Sequence, residues 1–132
     1  MNVFEKLKSI FAKKEKSNEK ISYISLVSME EKYQAEDYIG AARDLKSLLE
    51  KYGRRKRKNH RYKGREFIYF ILSNKHKDLK NTGYTHWENL NNFMKLNQTK
   101  VYPYHQNNLR NAMDFFEKEI KGLREIKILE DK

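Results

Sequence analysis

The chain has 132 residues, of which 38% are apolar and 36% are charged, with a net charge of +11 and no cysteine. This length suits one compact domain and is too short for two ordinary domains. Without cysteine, disulfides and thiolate metal sites are excluded, and we expect the reducing compartment of the cytoplasm. No two histidines have the spacing of metal ligands, so we expect neither a metal site nor another cofactor.

Residues 2–16 have the pattern of a short basic amphipathic helix. Apolar side chains recur there at helical spacing among five lysines, at Val3, Phe4, Leu7, Ile10 and Phe11. We favour docking of this helix on the core of its own domain or on a second copy, and binding to an acidic membrane surface is the alternative. Residues 13–20 contain no apolar side chain and predict a linker. We therefore divide the chain into an N-terminal helix and linker, residues 1–20, and a single helical domain, residues 21–132.

The sequence predicts no secretory signal and no membrane span, because no apolar run approaches about 18–20 residues. The domain is predicted to open with a long helix over about 29–51. Ser28 and Glu31 have the form of a capping box at its start, and Gly53 suits its end. Gly40 is a candidate interruption that would divide this helix into two.

Residues 54–65, the basic segment, concentrate most of the charge of the chain. Eight of these twelve residues are Lys or Arg and none is acidic, which leaves +3 for the other 120 residues. Five of the eight are arginine, whose planar fork matches phosphate geometry. We predict that nucleic-acid phosphates are bound by Arg54, Arg55, Lys56, Arg57, Lys58, Arg61, Lys63 and Arg65. A solvated loop that serves solubility is the alternative, and Tyr62 would either stack on a base or anchor the loop.

Six consecutive apolar residues, 67–72, follow the basic segment and fit either a buried strand or part of a helix over about 65–80. Asn81 to Gly83 predict a turn. Thr85 and Glu88 have the form of a second capping box, opening a helix to about Leu96. Pro103 favours the start of a third helix that ends at Gly122, and residues 126–129 have the character of a short strand.

This order of elements over residues 65–129 resembles the winged helix-turn-helix family. The matching residues are Thr85, Leu90 and Leu96 in the first helix, Leu109 and Phe116 in the recognition helix, and Gly122, Leu123 and residues 126–129 at the wing. The resemblance implies a mainly α fold with a small β wing. In this chain the connection between the two helices, from Asn97 to Tyr102, is longer than the tight turn usual in the family.

In that family the recognition helix enters the major groove of DNA. The corresponding helix here carries four polar side chains that are predicted to share one exposed stripe and to contact bases, Gln106, Asn107, Arg110 and Asn111. Asn and Gln can form two hydrogen bonds with adenine, and Arg can do so with guanine. The alternative is that an exposed helix needs polar residues in any case.

We therefore expect a small basic DNA-binding protein, a regulator or replication accessory factor of a mobile element such as a phage or plasmid, which could act as a homodimer. RNA is the less favoured polymer. No nucleotide-binding glycine loop, catalytic cysteine or serine elbow is present, so we expect no enzyme. The alternatives are an inhibitor or adaptor that binds a protein or ribonucleoprotein partner, and a peripheral membrane protein.

Overall fold

The structure, a computed structural model, describes residues 21–59, 61–96 and 100–131, and the side chains within 24–59, 61–96 and 100–128. The predicted amphipathic helix over residues 2–16 lies outside the described residues. In chain order the elements are β1 (Ile21–Ile24), α1 (Leu26–Gln34), α2 (Tyr38–Lys56), α3 (Gly64–Ile71), α4 (Lys77–Phe93), α5 (Pro103–Glu119), a 3-10 helix (Lys121–Glu125) and β2 (Ile128–Asp131). The predicted mainly α fold class is confirmed.

Helix α2 forms the centre of the core. Its inward side chains have no exposed surface and contact the other helices, at Ala41, Ala42, Leu45, Leu48 and Leu49. These residues recur at the 3.6-residue period of one helical face. Asp44 lies on the same helix, is also buried, and pairs with Lys32 of α1 at 3.0 Å, which offsets the cost of burying its charge.

The start of the domain differs from the prediction. Helix α1 begins at Leu26, three residues before the predicted start at residue 29, because Ser25 and not Ser28 is its N-cap. The Ser25 hydroxyl accepts a hydrogen bond from the Ser28 amide at 3.1 Å, and the Ser28 hydroxyl accepts one from the Ser25 amide at 2.8 Å. Ser28 therefore occupies the position in the box that we had expected for Glu31.

The long helix predicted over 29–51 is two helices, and they separate before Gly40. Glu36 has a φ of 64°, a left-handed conformation that stops α1, and Asp37 then caps α2 by accepting from the Gly40 amide at 3.0 Å. At the other end, Gly53 is buried inside α2 and is not its stop. The helix continues to Lys56, so the first three residues of the basic segment are helical.

Residues 67–71 of the apolar run belong to helix α3, and Leu72 is its C-cap. The buried residues of the run, Phe67, Ile68, Ile71 and Leu72, follow a helical period and leave Tyr69 and Phe70 partly exposed. A turn then separates α3 from α4, whereas one of the two predictions was a single helix over about 65–80. The short run alone could not exclude a strand, and its contacts with the core favour the helix.

The turn predicted at Asn81 to Gly83 and the capping box predicted at Thr85 and Glu88 are both wrong, because these residues lie inside α4. The Thr85 hydroxyl donates to the Asn81 carbonyl one turn earlier, at 3.2 Å. Gly83 is buried where α4 crosses α3, and a Cβ there would lie 2.6 Å from Leu72 Cδ1. This glycine permits a close helix contact and does not make a turn.

Helix α5 begins at Pro103 as predicted and ends at Glu119, before the predicted end at Gly122. The strand predicted over 126–129 is β2, and it begins at Ile128. It pairs with β1 in antiparallel register, with Ile24 opposite Ile128. A wing would instead be a hairpin of neighbouring strands, so the predicted small β wing is not shown in the described residues.

Candidate nucleic-acid interface

The basic segment runs from the last turn of α2, through a loop, into the first turn of α3. The residues predicted to bind phosphate are all exposed: Arg54, Arg55, Lys56, Arg57, Lys58, Arg61, Lys63 and Arg65. Arg54, Arg55 and Lys56 lie at the carboxyl end of α2, where the helix dipole favours positive charge. The loop enters α3 at Gly64, whose φ of 56° suits glycine.

Lys56 ties the end of α2 to the end of α3. Its Nζ atom donates to the Phe70 carbonyl oxygen at 2.7 Å and to the Ser73 hydroxyl at 2.6 Å. The Phe70 carbonyl belongs to the last turn of α3, where backbone acceptors need partners from outside the helix. Partial burial, and then the charge of Lys80, lower the pKa of the Lys56 amine. Lys56 therefore stabilises the scaffold of the basic segment.

Tyr62 holds the loop of the basic segment against α3. Its ring lies 4.9 Å from the Phe70 ring, and its hydroxyl accepts a hydrogen bond from Arg57 Nη1 at 3.0 Å. Tyr62 was predicted either to stack on a base or to anchor the loop, and its contact with Phe70 anchors the loop. One guanidinium of the segment is therefore oriented by the protein, because Arg57 is fixed to the anchoring side chain.

The other cations of the segment have fewer contacts. The Arg65 guanidinium lies 5.0 Å from the centre of the Tyr84 ring, a cation–π contact with α4. The remaining five form neither a hydrogen bond nor an ion pair with a side chain that the structure describes: Arg54, Arg55, Lys58, Arg61 and Lys63. Their mutual repulsion would be relieved by an external anion.

An open cleft of about 560 Å³ is lined by Tyr62, Arg65, Glu66, Tyr69 and Phe70, and we call it the aromatic cleft. Tyr62 and Arg65 belong to the basic segment, and Arg61 and Lys63 flank Tyr62 in the chain. Lys80 lies 5.9 Å from the centre of the Tyr69 ring, and the Tyr69 hydroxyl forms a hydrogen bond with the Asn81 side chain. Aromatic faces bordered by cations are the groups on which unpaired bases stack while their phosphates are neutralised. The cleft therefore has the chemistry of a binding site for a flexible nucleic-acid strand.

Four residues at this site were not predicted from the sequence: Tyr69, Phe70, Lys80 and Tyr84. Residues 67–72 were predicted as one buried run. A helical period within the run would have shown that Phe67, Ile68 and Ile71 share one face, which leaves Tyr69 and Phe70 on the other. The positions of Lys80 and Tyr84 depend on the crossing of α3 and α4, for which the sequence gives no local signal.

Arg110, predicted to contact a base, is engaged within the fold. Its guanidinium pairs with Glu30 of α1 at 2.6 Å and with Asp114 of α5 at 2.8 Å, and it lies 5.0 Å from the centre of the Tyr33 ring. The hydrogen bond with Asp114 is the main cause that raises the pKa of Arg110. This side chain joins α5 to α1 and is only 27% exposed.

The other three residues of the predicted base-reading stripe are divided. Gln106 is partly buried, and its backbone carbonyl accepts a hydrogen bond from the Tyr33 hydroxyl at 3.3 Å. Asn107 and Asn111 are exposed. The structure therefore places two of the four residues towards α1 and two towards solvent, and base contact by the two asparagines stays a prediction.

Helices α4 and α5 pack against each other, but nine residues, 94–102, connect them. A helix-turn-helix joins its two helices by about three or four residues. Two large aromatic side chains are exposed at the start of α5, with Tyr102 at 56% and Tyr104 at 60%. The amino-terminal part of α5 is therefore a second exposed surface with groups that suit binding.

Among the described residues, no group of three or more His, Asp or Glu side chains is arranged to hold a metal ion. None of the described helices combines the length and the apolar character needed to cross a membrane. Comparisons with protein-family models, with curated proteins and with solved structures found no match to the chain.

Proposed function

We propose that the protein is a nucleic-acid-binding protein, not an enzyme, and that it binds a flexible strand along the basic segment and the aromatic cleft. The observation that carries this proposal is a cleft lined by three aromatic rings and Arg65, next to a segment that carries five further exposed cations without described partners. A solvated loop needs neither the cleft nor the anchor that orients the loop beside it. The proposal extends the predicted phosphate contact to the bases.

The two groups of residues have separate roles in this proposal. Arg54, Arg55, Lys58, Arg61 and Lys63 neutralise phosphates, a contact that is independent of sequence. Tyr69 and Phe70 supply surfaces on which bases stack, and every base has such a face. Duplex DNA buries its bases in the helical stack and cannot use the cleft, so a single strand of DNA or RNA is the preferred ligand.

The test is equilibrium binding of the full chain to single-stranded DNA, single-stranded RNA and random duplex DNA over a salt series. If the five cations contact phosphates, the logarithm of the binding constant for single strands falls with the logarithm of salt with a slope of about −3.5. We expect the single strands to bind more tightly than the duplex. Absence of binding to all three polymers at low salt would refute the proposal and assign the segment to an acidic protein surface.

Duplex DNA binding in the manner of a winged helix-turn-helix is the second candidate, with α5 as the recognition helix. The exposed Tyr102, Tyr104, Asn107 and Asn111 on or beside the first half of α5 favour it. Replacing both asparagines by Ala should then reduce the preference for a selected duplex over random DNA, by about 1–3 kcal/mol for each contact with two hydrogen bonds. An unchanged preference would exclude base reading by this helix.

A further inference from the structure

An apolar groove lies between α1 and α5, away from the residues assigned to nucleic acid. It has a volume of about 680 Å³, and its apolar lining includes Leu26, Val27, Met29 and Met113. Val27 is 68% exposed, which is high for a large apolar side chain in the first turn of a packed helix. Among the described residues nothing covers this groove.

Acidic side chains border the groove. Glu30, Glu31 and Glu117 line it, and the only cation among its lining residues is Arg110. The Arg110 guanidinium pairs with Glu30 and Asp114, and Glu117 pairs with Arg124 at 3.6 Å, so Glu31 is the lining carboxylate without an ion pair to a described residue. An apolar floor with a negative border suits a basic amphipathic helix.

The chain itself contains a segment with this character. Residues 2–16 combine an apolar helical face, formed by Val3, Phe4, Leu7, Ile10 and Phe11, with Lys6, Lys8, Lys13, Lys14 and Lys16. We propose that this segment forms a helix that docks in the groove between α1 and α5 of the same molecule. Its apolar side chains cover Leu26 and Val27, and its lysines face Glu31 and Glu117.

The connection is long enough for this intramolecular contact. The described chain begins at β1, which leads directly into α1 at the edge of the groove. The four residues of β1 span about 13 Å, and the nine residues between Phe11 and Ile21 span up to about 30 Å when extended. The segment can therefore turn back along β1. A short connection also raises the effective concentration of the segment to the millimolar range, which favours its own groove over that of a second copy.

The absence of native cysteine makes a labelling experiment direct. Val27→Cys places a thiol in the groove, and Asn74→Cys places a control thiol at an exposed position between α3 and α4. Each is made in the native chain and in a chain with Leu7→Asp and Phe11→Asp, and the rate of reaction with a maleimide is measured. We expect Cys at position 27 to react about tenfold more slowly in the native chain, and Cys at position 74 to react equally in both.

A second variant tests the charges without altering the segment. Glu31→Lys combined with Glu117→Lys should restore fast labelling at position 27, while circular dichroism reports the same helical content. Equal labelling rates at position 27 with and without the two aspartates would refute the proposal. Protection that rises with protein concentration would assign the groove to a second copy, and protection only with anionic vesicles would assign the segment to a membrane. Either result would overturn docking in the same molecule.

Discussion

The basic segment and the α1–α5 contact both present arginine, but they differ in what surrounds the guanidinium groups. Arg110 has two carboxylates and a tyrosine ring as partners, whereas Arg54, Arg55 and Arg61 have no described partner for their charge. A cation whose partners come from the protein contributes to the fold. A cluster of exposed cations without such partners is available for an external anion. Whether an arginine stabilises the fold or is available for an external anion therefore depends on its acidic neighbours and not on the residue type.

The largest expected effect comes from removing the unpartnered cations. Replacing Arg54, Arg55, Lys58, Arg61 and Lys63 by Ala should lower the affinity for single strands on the order of a hundredfold and reduce the salt slope by about 3.5. The free energy of unfolding should change little, because these side chains are exposed. Binding is measured by fluorescence anisotropy over a salt series.

The matched control removes the same charge elsewhere. It replaces five exposed lysines outside the segment by Ala, namely Lys95, Lys100, Lys118, Lys121 and Lys127. If both variants lose the same affinity, the net charge of the chain and not the segment determines binding, and the contrast between the two regions fails.

The aromatic cleft provides the next largest effect. Tyr69→Leu keeps an apolar side chain but removes the ring, so affinity for single strands should fall by about 1–3 kcal/mol while affinity for duplex DNA is unchanged. Tyr104→Leu is the control, since it removes an exposed ring from α5. An equal loss for single strands and duplex would show that Tyr69 acts on the protein and does not stack on bases.

Arg110→Ala tests whether an arginine that is paired within the fold contributes to stability and not to binding. Loss of three charged hydrogen bonds and the contact with Tyr33 should lower the free energy of unfolding by about 1–2 kcal/mol, a modest value because these ion pairs are partly exposed. Affinity for random single strands should be unchanged. Urea unfolding and anisotropy measure the two quantities. A stable Arg110→Ala variant with weakened binding would reverse the role assigned here.

Arg110→Lys refines the same test. Lysine keeps the charge but has no planar fork to bridge Glu30 and Asp114, and it stacks less well on Tyr33. The variant should therefore lie between the native chain and Arg110→Ala in stability. Stability equal to the native chain would show that charge alone accounts for the contact.

The sequence allowed prediction of features that depend on near neighbours. The basic segment is visible as a run, and helix α5 was predicted from Pro103 and the apolar spacing of Leu109, Met113 and Phe116. The pairing of Arg110 with Glu30 was missed, because the two residues are 80 positions apart. A surface helix and a helix packed on α1 carry the same local signals at residues 106–111, and only the tertiary contact distinguishes them.

The predicted boundary before α4 was wrong for a related reason. Thr85 and Glu88 have the spacing of a capping box, but that spacing also occurs inside helices, where Thr85 bonds to the preceding turn. Gly83 was interpreted as part of a turn, although its role is the close approach of Leu72. Both local patterns occur at helix starts and inside helices. The packing of α4 against α3 favours the helix interior.

The smallest expected effect concerns His86, a partly buried imidazole that packs against aromatic rings. The His86 ring lies 4.9 Å from the Phe115 ring, and its buried Nδ1 atom has no hydrogen-bond partner among the described residues. Burial lowers the pKa of the His86 imidazole. The unfolded chain therefore takes up the proton first as the pH falls below about 6.5. Stability is unaffected by this group above that pH and is lost as the pH falls towards the lower pKa of the folded state.

His86→Phe should remove this loss while keeping a ring against Phe115, so its free energy of unfolding should decline less than that of the native chain between about pH 6.5 and pH 5. The difference should be below about 1 kcal/mol, because the imidazole is only partly buried. Urea unfolding at several pH values measures it. Parallel curves for the two proteins would show that the imidazole finds a partner when protonated. His86 would then belong with Arg110, as a cation whose charge the fold itself compensates.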